Sequence, residues 1–403
     1  MSTISLERRR LLAPRAAFWV VAASFLLMMA FATVPTPLYA LYQQRDGFET
    51  FTVTLIFAAY AVGVMIALSF GGHISDWVGR RRMLVIAALV EAASSIIFLL
   101  PGAVPVLLAA RFVSGLAVGL LTAAATAGLS ELRIYHTGDV GIAATVATVA
   151  NLGGLALGPL IGGLFAEWST WPLFAPYLVF LAALIIAALL LRRIPETVTT
   201  VPLRASYRRQ RVAVPRERRS AFLLAGTAAF AAFAITGFFG SVSPAFLAQI
   251  GGVHDRLAVG ATAFAVFGAA AVAQLACGRL APRAQIVAGA SAVLTGMTMI
   301  ALAALIASTA LFIVGGVTAG FGVGFLFRSA LITGAALGDA TRRGEVLAGV
   351  FLMAYAGMTL PPILIGLALL WLPMIPVLVV FAIATMALST TAAVGLTRVA
   401  RTI

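Results

Sequence analysis

Gly72-His73-Ile74-Ser75-Asp76-Trp77-Val78-Gly79-Arg80-Arg81-Arg82-Met83-Leu84 places an acid and three arginines, spaced by glycine, between two long apolar runs. A charged stretch this short between runs of roughly 20 to 25 apolar residues reads as a turn joining two membrane-spanning helices. The pattern repeats in both directions. The 403-residue chain is 62% hydrophobic and 10% charged, with a mean hydropathy of +1.08, too little polar material to coat a water-soluble surface. The apolar runs are continuous rather than alternating in polarity, which excludes an outer-membrane barrel and leaves helices.

A 20-residue yardstick predicts twelve spans: 18–42, 51–73, 83–100, 104–129, 140–165 and 173–191, then 221–248, 258–277, 286–306, 311–337, 346–371 and 374–394. The fold class is therefore an all-α polytopic membrane protein of twelve transmembrane helices. Residues 192–220, rich in arginine and containing Pro195, Pro202 and Pro215, form a basic linker between a six-helix half at 1–191 and a second at 221–403. The first span follows arginines as a signal peptide would, but it is too long for a signal core and is read as a retained helix.

The net charge of +14 comes from 27 arginines and no lysine. Apart from Arg111 and Arg328, which lie within spans, they fall before span 1, after spans 2, 4, 6, 8, 10 and 12, and through the linker, whereas Arg45 and Arg256 alone mark the loops of the other side. This asymmetry puts both termini and the linker in the cytoplasm of a multi-pass plasma (inner) membrane protein. The linker arginines also suit anionic lipid headgroups. No soluble domain with interleaved aromatics exists to bind nucleic acid. Cys277, the lone cysteine, excludes an intramolecular disulfide. His73, His136 and His254 sit at span ends or in loops, so neither a metal site nor a cofactor is expected.

The halves repeat one another. Gly115 and Gly119 in span 4 recur as Gly320 and Gly324 in span 10, and Gly154 and Pro159 in span 5 as Gly357 and Pro362 in span 11. Gly72 matches Gly278, and the offsets stay near-constant. Six plus six helices related by such a repeat is a transporter plan, with the site between the halves.

These residues carry a family resemblance. Gly72, Asp76, Gly79, Arg80 and Arg81 satisfy the G-x-x-x-D-x-x-G-R-[RK] loop of the major facilitator superfamily, and Arg111, Gly115 and Gly119 its R-x-x-x-G-x-x-x-G pattern. Gly154, Gly158, Pro159, Gly162 and Gly163 resemble the G-x-x-x-G-P-x-x-G-G run of its twelve-helix drug:proton antiporters. Where many members carry an acid in span 1, this chain has Met28, Met29 and Pro35-Thr36-Pro37. The resemblance implies that the opening loop is a cytoplasmic latch: Asp76 facing the start of span 11 near Gly344, and Arg80 reaching Glu131.

Within the spans, a charged group is expensive and by default marks a site. Glu91 is the one carboxylate well inside any span, and Arg111 lies at a depth where the two can pair. Ser94 and Ser95 share the face of Glu91, which points it into protein. Two readings stand: Glu91 carries a coupling proton, its proton affinity pulled one way by burial and the other by Arg111, or the two form a structural ion pair holding spans 3 and 4 together. Gly154, Gly158, Gly162 and Pro159 read as close packing or as a gating kink. Candidate cavity residues are Tyr39, Tyr60, Asn151, Phe233, Phe238, Gln274, Arg328 and Tyr355, each also explicable as packing; Arg328 alternatively snorkels to the surface.

The expected activity is export of a hydrophobic or amphipathic small molecule, drug-like or metabolite, by a monomeric proton antiporter working through alternating access. The alternatives are an uncoupled or differently coupled metabolite exporter and, remotely, a non-transporting scaffold or receptor. No nucleotide loop, nucleophile motif or metal cluster speaks for an enzyme.

Overall fold

The structure, a computed structural model, describes residues 11–71, 78–137, 140–197, 218–276, 280–337 and 343–399. Gly72 and Asp76, the head of the expected latch, lie outside the described residues, as do Cys277 and Gly278. All regular structure among the described residues is helical. Eleven segments are long and apolar enough to cross a membrane, and Ala175–Leu191, at 17 residues, is a shorter twelfth.

Span 1 is α1 (Pro14–Phe31) and α2 (Pro35–Asp46); spans 2 to 4 are α3 (Thr50–Gly71), α4 (Arg80–Leu99) and α5 (Val104–Thr137). Span 5 runs through α6 (Val140–Thr148), a π-helical turn (Val149–Gly153) and α7 (Gly154–Trp168), and span 6 is α8 (Ala175–Leu191). Span 7 divides into α9 (Arg219–Ser241) and α10 (Ser243–Gln249). Spans 8 to 12 are α11 (Arg256–Ala276), α12 (Pro282–Leu305), α13 (Thr309–Leu337), α14 (Arg343–Ala368) and α15 (Met374–Val399).

Spans 1, 5 and 7, expected as continuous helices, are thus interrupted. Pro35 and Pro37 lack the amide hydrogens that would continue α1, and Pro244 acts likewise at the α9–α10 junction. The interruption in span 5 is a slip in hydrogen-bond register, discussed below. Spans 3 and 7 begin on arginines that the apolar windows left outside, Arg80 and Arg219.

The repeat-related glycines make equivalent contacts. A Cβ on Gly115 would strike the Tyr60 carbonyl of span 2, and one on Gly320 the Val266 carbonyl of span 8. Gly154 abuts Leu26 and Met29 of span 1; its counterpart Gly357 abuts Phe230 of span 7. Where lipid offers no hydrophobic drive between helices, such close backbone approach is what dispersion packing requires. Buried apolar side chains form two large clusters, one within 17–194 and one within 225–396, with Met358 and Ala156 each joining the cluster of the other half.

The halves meet along spans 5 and 8 and along spans 2 and 11. At the arginine-poor end, a Cβ on Gly163 would lie 3.3 Å from Gly260 Cα, and one on Gly260 would strike the Pro159 carbonyl. Gly366 of span 11 similarly faces Thr54 and Phe51 of span 2. The Arg256 amide, opening span 8, donates to Glu167 Oε2 at the end of span 5 over 3.0 Å. The arginine-poor end is therefore sealed by backbone-to-backbone contact.

Candidate functional site

Inside that seal lies a cavity of about 90 Å³ between the halves. The first half contributes Met29, Thr33, Phe57, Tyr60, Thr122, Asn151, Leu152 and Leu155; the second contributes among others Phe233, Thr236, Phe267, Gln274, Phe327, Phe351, Tyr355 and Met358. The Phe233 ring packs 4.7 Å from that of Phe327 and 5.4 Å, edge-on, from that of Tyr355. Among the described residues, no carboxylate, guanidinium or imidazole lines the wall. Apolar surface with a few amides and hydroxyls is what a pocket for a small organic molecule requires.

Five of the eight expected cavity residues, Tyr60, Asn151, Phe233, Gln274 and Tyr355, are on this wall. Three are not. Phe238 packs on Phe239, Phe312 and Phe381 in the core of the second half; five residues from Phe233, it lies about 140° around the helix and cannot share its face. Tyr39 is buried within the first half, on a helix that starts afresh at Pro35. Arg328 donates from Nη1 to the Gln274 carbonyl over 2.7 Å, tying span 10 to span 8.

Glu91 and Arg111 sit behind the wall. Glu91 is fully buried; Ser114 Oγ donates to its Oε1 over 2.9 Å, and Oε2 has no hydrogen-bond partner. The Arg111 guanidinium, 2% exposed, donates to the Ala32 carbonyl and lies 4.5 Å from the Tyr60 ring centroid and 5.6 Å from that of Phe57. That carbonyl is an orphan: Pro35 has no amide hydrogen and the Thr36 amide turns to Thr33 instead. The expected Glu91–Arg111 ion pair is therefore replaced by Ser114 on one side and by Ala32 with two aromatic faces on the other. Ser94 and Ser95 bond the carbonyls of Ala110 and Tyr177, each over 2.8 Å, so this face of span 3 does point into protein.

The Major Facilitator Superfamily model matches residues 20–362. The chain belongs to the Major Facilitator Superfamily. It is 30% identical over 193 residues to the MFS-type transporter Rv1250 of Mycobacterium tuberculosis, covering 45% of this chain and 32% of that one. It is 26% identical over 145 residues to the quinolone resistance protein NorA of Staphylococcus aureus, covering 36% and 37%. The matched stretch thus spans about a third of the length of these relatives. The crystal structure of the nucleoside transporter NupG superposes with a TM-score of 0.75 at 10% identity, covering 94% of this chain and 98% of that one.

In this chain the described part of the superfamily loop forms a clasp. Arg80 Nε reaches Glu131 Oε1 over 3.3 Å, and Thr197 Oγ1 donates to the other oxygen of Glu131. Glu196 Oε1 accepts the backbone amides of Arg80 and Arg81 over 2.8 and 3.4 Å, capping the start of span 3. Gly79 has φ +98°, a backbone conformation that favours glycine, and a Cβ there would lie 2.5 Å from the Glu196 carboxylate and push it aside. Glu196 was not expected: Pro195-Glu196-Thr197 looks unremarkable, and its signal is merely an acid within reach of a helix start. Among the described residues, these contacts join the start of span 3 to the inner end of span 4 and to residues 196 and 197. The limb expected to cross to Gly344 begins at Asp76, outside the described residues.

Proposed function

We propose that this transporter exports a hydrophobic or amphipathic small molecule by proton antiport with alternating access, from a plasma (inner) membrane with both termini cytoplasmic. The observation that carries the reading is the apolar cavity between the halves, closed at the arginine-poor end by contacts that a rocking motion would part. The span 5 run from Gly154 to Gly163 and the likeness to NorA, a quinolone resistance protein, favour efflux of drug-like cargo and multidrug resistance.

Coupling would run through Glu91. Its hydrogen-bond partner is Ser114, and Arg111 bonds the Ala32 carbonyl instead. With Glu91 protonated, Arg111 stays on the Ala32 carbonyl and the Tyr60 ring, as the structure has it. Loss of the proton leaves a buried anion whose strongest available partner is Arg111, and that pull would loosen both the break in span 1 and one wall of the cavity.

Substrate flux in proteoliposomes, with and without an imposed pH gradient, on wild type and Glu91→Gln tests this. The expected result is gradient-driven flux that Glu91→Gln abolishes. Flux that ignores the gradient refutes antiport, and gradient-driven flux untouched by Glu91→Gln removes Glu91 from the mechanism. One observation favours the second reading, an uncoupled or differently coupled metabolite exporter: among the described residues no carboxylate stands on the cavity wall.

A further inference from the structure

We infer that the cargo of this cavity is uncharged and is recognised by two carboxamides, Asn151 of the first half and Gln274 of the second. The inference rests on the proposed role of the cavity as the transport site and adds the substrate class.

Asn151 stands inside the π-helical turn Val149–Gly153. In an uninterrupted α-helix at 3.6 residues per turn it would fall within roughly 20° of Gly158 and Gly162, which press on the backbone of span 1. In the structure Asn151 lines the cavity together with Leu152 and Leu155. Across the cavity, Gln274 is held in register because its own carbonyl accepts from Arg328 over 2.7 Å.

Both amides are on the wall, and neither side chain hydrogen-bonds another described residue. A carboxamide on an apolar wall with no protein partner leaves two donors and an acceptor free for a matching ligand. The threonines beside them do not have this vacancy: Thr33 Oγ1 bonds the Leu155 carbonyl over 3.0 Å, and Thr236 the Phe233 carbonyl over 2.9 Å. The charged groups nearest the wall are also engaged elsewhere. Arg111 lies behind Tyr60 and Phe57, and Arg328 lies against a carbonyl. An ammonium or carboxylate on the cargo would enter an apolar space without a counter-charge, whereas a neutral amide, alcohol or ketone finds a donor and an acceptor in each half.

The test uses the full-length protein in nanodiscs and three probes on one scaffold: 2-naphthamide, 2-(aminomethyl)naphthalene and 2-naphthoate. Dissociation constants are measured for wild type, Asn151→Leu, Gln274→Leu, Asn151→Asp and Leu152→Trp, the last filling the cavity. The expected result is that the neutral amide binds best, by about tenfold or more over either ion, and that each leucine variant weakens it by about tenfold. Asn151→Asp should shift the preference toward the ammonium probe, a change that a purely structural asparagine would not produce. Tighter binding of either ion, binding of the amide unchanged in both leucine variants, or no binding of any probe overturns the inference. Binding of the amide that survives Leu152→Trp refutes instead the reading of this cavity as the site.

Discussion

Two carbonyls that prolines deprive of their helical partners are met by side chains from a neighbouring span. The Ala32 carbonyl, unserved because Pro35 breaks the ladder, takes Arg111, and the Leu155 carbonyl, which Pro159 cannot serve, takes the hydroxyl of Thr33. In a bilayer such orphans find no water, so each proline in a span demands a donor nearby. Capping at the start of span 3 follows the same logic with the sign reversed: its free amides require an acceptor, and Glu196 supplies a charged one. Glu196→Ala should lower stability by about 1 kcal/mol, read as a lower melting temperature of the purified protein, while Glu196→Gln recovers part of the loss. At this scale the sequence was half legible. A lone acid and a lone arginine at similar depth were visible as exceptional, but their partners, a serine and a backbone carbonyl, are too common to stand out. Phe238 shows the opposite failure, since an aromatic in an all-apolar helix carries no sign of which way it faces, and only its angular distance from Phe233 could have warned against placing both on the cavity.

Span 4 provides a controlled comparison within one helix. Gly115 lies where a Cβ would strike the Tyr60 carbonyl of span 2, whereas a Cβ on Gly128 meets nothing within 4 Å. Gly115→Ala should therefore push spans 2 and 4 apart and cost about 1 to 3 kcal/mol, and Gly128→Ala should be neutral or stabilise by up to about 1 kcal/mol through helix propensity. Melting temperatures of the two purified variants check this; equal effects would show that the span 2–span 4 contact is looser than described. The apolar runs made all twelve spans legible, because length and continuity are what a bilayer selects. Their internal interruptions were less so. Pro35 and Pro37 were visible without saying that span 1 would break rather than bend, and the π-turn leaves no compositional trace, being a change of hydrogen-bond register and not of residue type.

Across the whole molecule, the seal at the arginine-poor end depends on the smallness of Gly163 and Gly260, whose backbones touch across the two halves, and on Glu167 holding the first amide of span 8. Gly260→Leu should wedge this end apart. Spin labels at Thr170 and His254, both exposed there, should show a longer distance distribution in the variant than in wild type, and an unchanged one would mean that the seal lies elsewhere. The clasp of Arg80, Glu131, Glu196 and Thr197 has a different reach. It ties the first residues of the 192–220 linker to spans 3 and 4, while near the other end of the linker Arg218 donates to the Leu337 carbonyl over 3.1 Å. Both described ends of the linker are thus fastened to the helices beside them. A gene divided between the codons for Thr197 and Arg218 should yield two polypeptides that, co-expressed, copurify and restore transport, and the first of them should lose this ability when Glu196 and Glu131 are both replaced by alanine.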